Sequence, residues 1–170
     1  MAALLTSVLD NTGKVIEYTA ECQRMGIRVL PPDINASDAG FTVEGKDIRF
    51  GLLALKNVGR NLIATVVRER SGTPYRSLYD FCKRLHGTEI NRRAVESMIK
   101  SGAFDNLEAK RRSMMDGVEG ILKSVESEAR RNLDGQIDLF GALDGEQESG
   151  RNVYKLPDSG EEYPYDILLQ

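Results

Sequence analysis

The residues best placed to do chemistry in this 170-residue chain form a run of five, Lys56-Asn57-Val58-Gly59-Arg60, between two apolar stretches of helical period. A tight turn between antiparallel helices can direct several backbone N–H groups outward at the start of the second helix, where the helix dipole is positive. Such a nest holds an anion, above all a phosphate. Gly59 supplies left-handed freedom and room for a close approach, Asn57 is a non-glycine residue that tolerates the same conformation, and Val58 plugs the turn into the core. Lys56 and Arg60 add positive charge on either side. Because phosphate contacts position and base contacts specify, the constellation implies binding without sequence readout.

Two further constellations carry polar chemistry. Asn91-Arg92-Arg93 stands where a later helix begins. Arginines there oppose the helix dipole unless an anion is present, so a bound phosphate and simple solvation both account for them. The second is G-Q-I-D-L-F-G, Gly135 to Gly141, an apolar pair in a polar stretch. Leu139 and Phe140 either fold back on this chain or anchor an extended peptide in a partner's pocket, with Gln136 bonding at its mouth. His86, the lone histidine, sits in a Gly-Thr turn with no acidic or nucleophilic neighbour, and no Asp-x-Asp pair exists to hold a metal. No catalytic residue and no metal ligand is therefore assigned. Cys22 and Cys82 are far apart and lack C-x-x-C spacing, which excludes a disulfide framework or a zinc site.

Charge sharpens the reading. The net charge is −3, yet Ile48 to Lys100 holds eleven Lys or Arg against four Asp or Glu, a local +7, and the remainder holds twelve against twenty-two, −10. Counterion release depends on the local patch, so this segregation points to nucleic acid. A noncatalytic interaction scaffold, whose basic helices meet an acidic protein partner, is the alternative. With 41% hydrophobic residues a genuine core is possible. No apolar run of about 18 residues exists and the start lacks a basic flank, so the expectation is a cytoplasmic protein with no membrane partner. The chain opens directly in a helical pattern, M-A-A-L-L-T-S-V-L, and ends abruptly at Y-P-Y-D-I-L-L-Q, as expected of a segment of a longer protein.

The elements that must position these residues are mainly helical. A short helix over Met1 to Leu9 precedes one over Lys14 to Met25, with Val15, Ile16, Thr19, Cys22 and Met25 at helical spacing and Gly26 as its stop. Ile27 to Leu30 reads as a short strand ended by Pro31-Pro32. Phe41-Thr42-Val43 and Ile48-Arg49-Phe50 alternate about Glu44-Gly45-Lys46-Asp47, a small antiparallel ribbon. The helical period begins at Gly51: Leu52 and Leu55 share a face in a first short helix, and Leu62, Ile63, Val66 and Val67 in the next. Ser77 caps a third helix to Leu85, Asn91 a fourth with Ala94, Val95, Met98 and Ile99 inward, and Ala103-Phe104 packs back. The helix-turn-helix layout thus occurs twice. Leu107 to Leu133 forms a longer helix with Met114, Val118, Ile121, Leu122 and Val125 on one side, and 134–170, with nine acidic and two basic residues, reads as a flexible acidic linker.

This arrangement is the helix-hairpin-helix design, with Asn57 where the usual pattern has glycine. Taken together, Met1 to Leu9 with Asp10-Asn11-Thr12, E-C-Q-R-M-G-I-R-V-L-P-P-D-I-N, G-L-L-A-L-K-N-V-G, L-Y-D-F-C, I-N-R-R-A-V-E-S-M-I-K-S-G-A-F-D and G-Q-I-D-L-F-G resemble the alpha subunits of bacterial C-family replicative DNA polymerases. The resemblance implies a distal fingers region over 1–50, a tandem helix-hairpin-helix gripping duplex DNA over 51–107, a helical extension over 108–133, and an acidic linker over 134–170. It also implies that Gln136, Asp138, Leu139 and Phe140 belong to a peptide for the sliding clamp, with Asp138 at a position that accepts small or acidic residues. The other partners implied are the rest of the polymerase subunit and the replicase holoenzyme. Magnesium and the palm carboxylates of such enzymes would lie upstream, so no cofactor is expected in this segment.

Overall fold

The computed structural model describes residues 1–107, 109–133 and 155–157. The described residues are mainly helical with one small sheet. In order they form α1 (Ala2–Ser7), α2 (Thr12–Arg24), β1 (Val29–Leu30), β2 (Thr42–Glu44), β3 (Asp47–Arg49), a 3-10 turn (Leu52–Ala54), α3 (Arg60–Gly72), α4 (Leu78–Arg84), α5 (Arg92–Lys100) and α6 (Arg111–Leu133). The peptide Gln136–Phe140 and the acidic stretch read from 134 onward lie outside the described residues, apart from 155–157.

Local chemistry fixes the helix ends. Asn11, Ser77 and Asn91 cap α2, α4 and α5, their side chains accepting from the backbone N–H of Lys14, Asp80 and Ala94. Gly26 follows α2 at φ 73°, and Gly102 follows α5 at φ 83°, both left-handed stops. The hairpin turn is two residues long, with Gly45 at φ 64° in its first central position, the placement a type II′ turn requires.

The sheet extends beyond the expected two-stranded ribbon. β1 pairs in parallel with β3, Val29 opposite Ile48 and Leu30 opposite Arg49, giving the order β1-β3-β2. The ribbon itself lies over Thr42–Glu44 and Asp47–Arg49, shorter than the alternating runs and without Phe41 or Phe50. Those two phenylalanines instead meet edge to face at 4.8 Å. With Leu5, Val15, Cys22 and Ile48, Phe41 belongs to a small hydrophobic cluster beneath α1 and α2. Ile16 and Met25, at helical spacing in the sequence, are exposed.

Two helical expectations shift. The first short helix of the first hairpin is only a 3-10 turn, and Leu55 is already extended at φ −76° and ψ 137°. Five residues between Gly51 and Asn57 cannot repay the cost of nucleating an α-helix. The long helix begins at Arg111 and not at Leu107: 101–106 form successive turns, and Arg111, the first residue of α6, reaches back to the Asp105 carboxylate.

The main core joins α3, α4, α5 and α6. Phe81 stands at its centre, 5.0 Å from the rings of both Tyr75 and Phe104 in edge-to-face contact. Ala103 and Phe104 are buried as expected, and Leu52 and Ile34 reach the same cluster. The loop carrying Ile34 is tied down by polar bonds: Asn35 and Tyr75 exchange side-chain to backbone hydrogen bonds at 2.9 and 2.8 Å, and Arg70 donates to the carbonyls of Ile34 and Ser37.

Candidate nucleic-acid interface

The turn between the 3-10 segment and α3 is built around Asn57, whose φ of 62° makes it the only non-glycine residue with positive φ among those described. Gly59 has φ −82° and ψ 155°, ordinary extended backbone. The expectation that Gly59 provides the left-handed residue is therefore corrected: the asparagine takes it, as its short amide side chain allows. Its Nδ2 donates to Ser97 Oγ of α5 at 3.2 Å. Val58 is half-buried against the main core, as the plug reading requires.

Gly59 is the N-cap of α3 and has no side chain to satisfy the first-turn amides, unlike the caps of α2, α4 and α5. Gly59, Arg60 and Asn61 are all exposed, so the positive end of α3 faces outward. Lys56 is exposed and forms no ion pair among the described residues. Arg60 is exposed too, with a long 3.7 Å contact to an almost fully exposed Asp10.

The corner is not an open nest. Glu89, from the turn between α4 and α5, brings its carboxylate over the start of α3: Oε1 accepts from Asn61 Nδ2 at 2.8 Å, and Oε2 lies 3.6 Å from where a Cβ on Gly59 would stand. Together with Asn57–Ser97 this bond sets the two hairpin units side by side. Sequence reasoning passed over Glu89, Asn61 and Ser97, since no short-range spacing connects 61 with 89 or 57 with 97.

The second constellation divides. Asn91 is the cap of α5 and is occupied by that task. Arg92 is held by Glu96 at 2.6 Å and by Glu119 of α6 at 2.8 Å. These bonds raise the pKa of its guanidinium, first through Glu96. Arg93, one residue on, is exposed and without an ion pair among the described residues.

The +7 of Ile48 to Lys100 is partly spent inside the fold. Arg70 serves the Ile34 loop, Arg84 stacks 4.4 Å above the Tyr75 ring and donates to the carbonyls of Thr73 and Glu69, and Lys83 pairs with Glu128 of α6. Lys56, Arg76, Arg93 and Lys100 remain exposed and outside the ion pairs seen among the described residues.

The 3-10 turn with α3, and α4 with α5, form two successive helical hairpins tied by the Asn57–Ser97 and Asn61–Glu89 bonds, and a helix-hairpin-helix family model matches residues 26–114. The chain belongs to the helix-hairpin-helix family. It is similar along nearly its whole length to DNA polymerase III subunit alpha: 45% identical to that of Saccharopolyspora erythraea over 99% of this chain, and 37% to that of Escherichia coli (strain K12) over 99%. The corresponding subunit of Haemophilus influenzae is 40% identical over 91% of the chain. In each case the chain spans 14% of the relative's length. The resemblance read from the motifs is thus borne out. No helix among the described residues is long and apolar enough to cross a membrane.

Proposed function

We propose that this chain is the duplex-binding, clamp-docking segment of a replicative DNA polymerase alpha subunit. It grips the DNA backbone without reading sequence, while nucleotidyl transfer and its magnesium belong to parts of such a subunit outside these 170 residues. The observation that carries the reading is the exposed start of α3, whose N-cap Gly59 offers no side chain, flanked by Lys56, which forms no ion pair among the described residues, and set beside the unit that presents Arg93. Phosphate oxygens complement exactly this kind of helix end, and a cation beside it adds affinity uniform across sequences. The relatives' shared name, DNA polymerase III subunit alpha, supports the same assignment. Gln136, Asp138, Leu139 and Phe140 would dock the clamp, and two weak attachments to one duplex then act at high effective concentration.

One observation favours the scaffold reading instead: Arg70, Lys83, Arg84 and Arg92 are all consumed by contacts within the fold. A salt titration with labelled duplexes of unrelated sequence separates the two. Phosphate contacts require log K to fall linearly with log salt, by about 0.9 per phosphate neutralised, with equal affinity for every sequence. Binding that ignores salt, or none, supports the scaffold. In the same assay Phe140→Ala is expected to abolish binding to an isolated clamp and leave duplex affinity unchanged; parallel loss of both rejects the division of labour.

A further inference from the structure

We infer that Glu89 is a resident competitor for the phosphate at the start of α3, so that the DNA backbone enters this site by displacing the chain's own carboxylate. The inference rests on the phosphate-binding reading above and adds its regulation.

The carboxylate lies across the first turn of a 13-residue helix, bonded to Asn61 through one oxygen and facing the side-chain-free Gly59 through the other. A negative group is favoured there by the exposed amides and the dipole, the same physics that favours a phosphate. Glu89 comes from the second hairpin, not from α3, so its presence depends on how the two units dock. It is exposed and forms no ion pair among the described residues. Elsewhere on this surface acidic groups are locked by cations, as Glu96 and Glu119 are by Arg92. The one side-chain hydrogen bond that Glu89 makes among the described residues comes from a neutral amide, Asn61 Nδ2, and such a hold yields to a stronger anion. It keeps the site filled when no DNA is present, and its charge weakens every duplex equally, because it opposes phosphate and touches no base.

The test compares duplex affinity of the full chain carrying Glu89→Gln with that of Glu17→Gln, which removes the same charge from an exposed position on α2. Lys56→Ala serves as the probe of the phosphate reading itself. Glu89→Gln is expected to tighten binding about two- to five-fold at low salt, with the gain shrinking as salt screens the charge, and Glu17→Gln to leave affinity unchanged. Glu89→Gln binding no more tightly than the unaltered chain, while Lys56→Ala weakens binding, overturns the competitor and leaves the phosphate site standing. Lys56→Ala with undiminished affinity overturns the phosphate reading and the competitor with it.

Discussion

Asn57 donates from Nδ2 to Ser97 Oγ at 3.2 Å, and this single bond joins the left-handed residue of the first hairpin turn to the middle of the second hairpin's last helix. The side chain thus does two things that glycine cannot do together: it accepts φ 62°, and it fastens the turn to α5. Where the usual hairpin relies on glycine for the first task, this chain combines both in one residue.

The substitution series at 57 follows from that division. Asn57→Gly relieves the backbone and loses the tie, so its stability should stay within about 1 kcal/mol of the unaltered chain. Asn57→Ala loses the tie and keeps the left-handed cost, about 1–2 kcal/mol. Asn57→Val, β-branched, should be the least stable of the three. Urea unfolding ranks them; Ala as stable as Gly would show that the left-handed conformation is not what this position demands.

Neighbouring arginines should behave oppositely. Arg92 bridges α5 to α6 through Glu96 and Glu119, so Arg92→Ala should lower stability modestly and leave DNA affinity nearly intact. Arg93 is exposed and outside any ion pair among the described residues, so Arg93→Ala should leave stability unchanged and reduce the salt slope of duplex binding by about one. Fluorescence anisotropy across a salt series, beside thermal melts, reads both. The reverse pattern would move the phosphate contact to Arg92.

How much of this was legible in the sequence depends on the range of the interaction. Caps and stops act within three or four residues, so Ser77, Asn91 and Gly26 could be read directly, and the helical period revealed Ala94, Val95, Met98 and Ile99 as one buried face, whereas the cap Asn11 and the start of α2 at Thr12 were not read. The pairing of Val29 with Ile48, the capture of Arg92 by Glu119 and the approach of Glu89 to Asn61 span nineteen to twenty-eight residues and leave no periodic trace. Gly59 misled for a related reason. Glycine in a turn commonly signals positive φ, but here it stands two residues after the left-handed Asn57, as the extended N-cap of α3, where a Cβ would make only ordinary contact with Glu89 Oε2.

The contact of α4 with α6 predicts an acid-dependent component of stability. Glu128 accepts from Lys83 at 2.6 Å and from Tyr79 at 2.5 Å, and these bonds, Lys83 first, hold its carboxyl below the usual range. A carboxylate whose pKa is lowered by folding contributes stability that is fully present above its unfolded value of about 4.3 and is lost as pH falls through the folded one. The stability difference between the unaltered chain and Glu128→Gln should therefore be constant near neutrality and close as pH drops below about 4. Urea midpoints measured from pH 3 to 7 test it, and a difference that persists undiminished at pH 3 would assign the contribution to packing.

Gly51 is closely confined by main-chain atoms, and it falls where the small sheet hands over to the first hairpin. Its φ of −79° would suit any residue, so conformational freedom is not the reason for glycine. A Cβ there would stand 2.5 Å from the carbonyl carbon of Gly40 and 2.8 Å from both its oxygen and the Phe41 nitrogen, all main-chain atoms that cannot rotate away. The strand-side loop must retreat to admit even a methyl group, and the backbone bonds from Leu52 to Asp38 and from Leu53 to Ala39 retreat with it. Gly51→Ala should then cost about 2–4 kcal/mol, the range of backbone-shifting overpacking and above. Gly72→Ala, where nothing lies within 4 Å of the added methyl group, should be neutral or slightly stabilising. Equal melting temperatures for the two variants would mean that the segments around Gly40 and Gly51 can part without loss, and that the hairpins do not depend on the sheet for their seat.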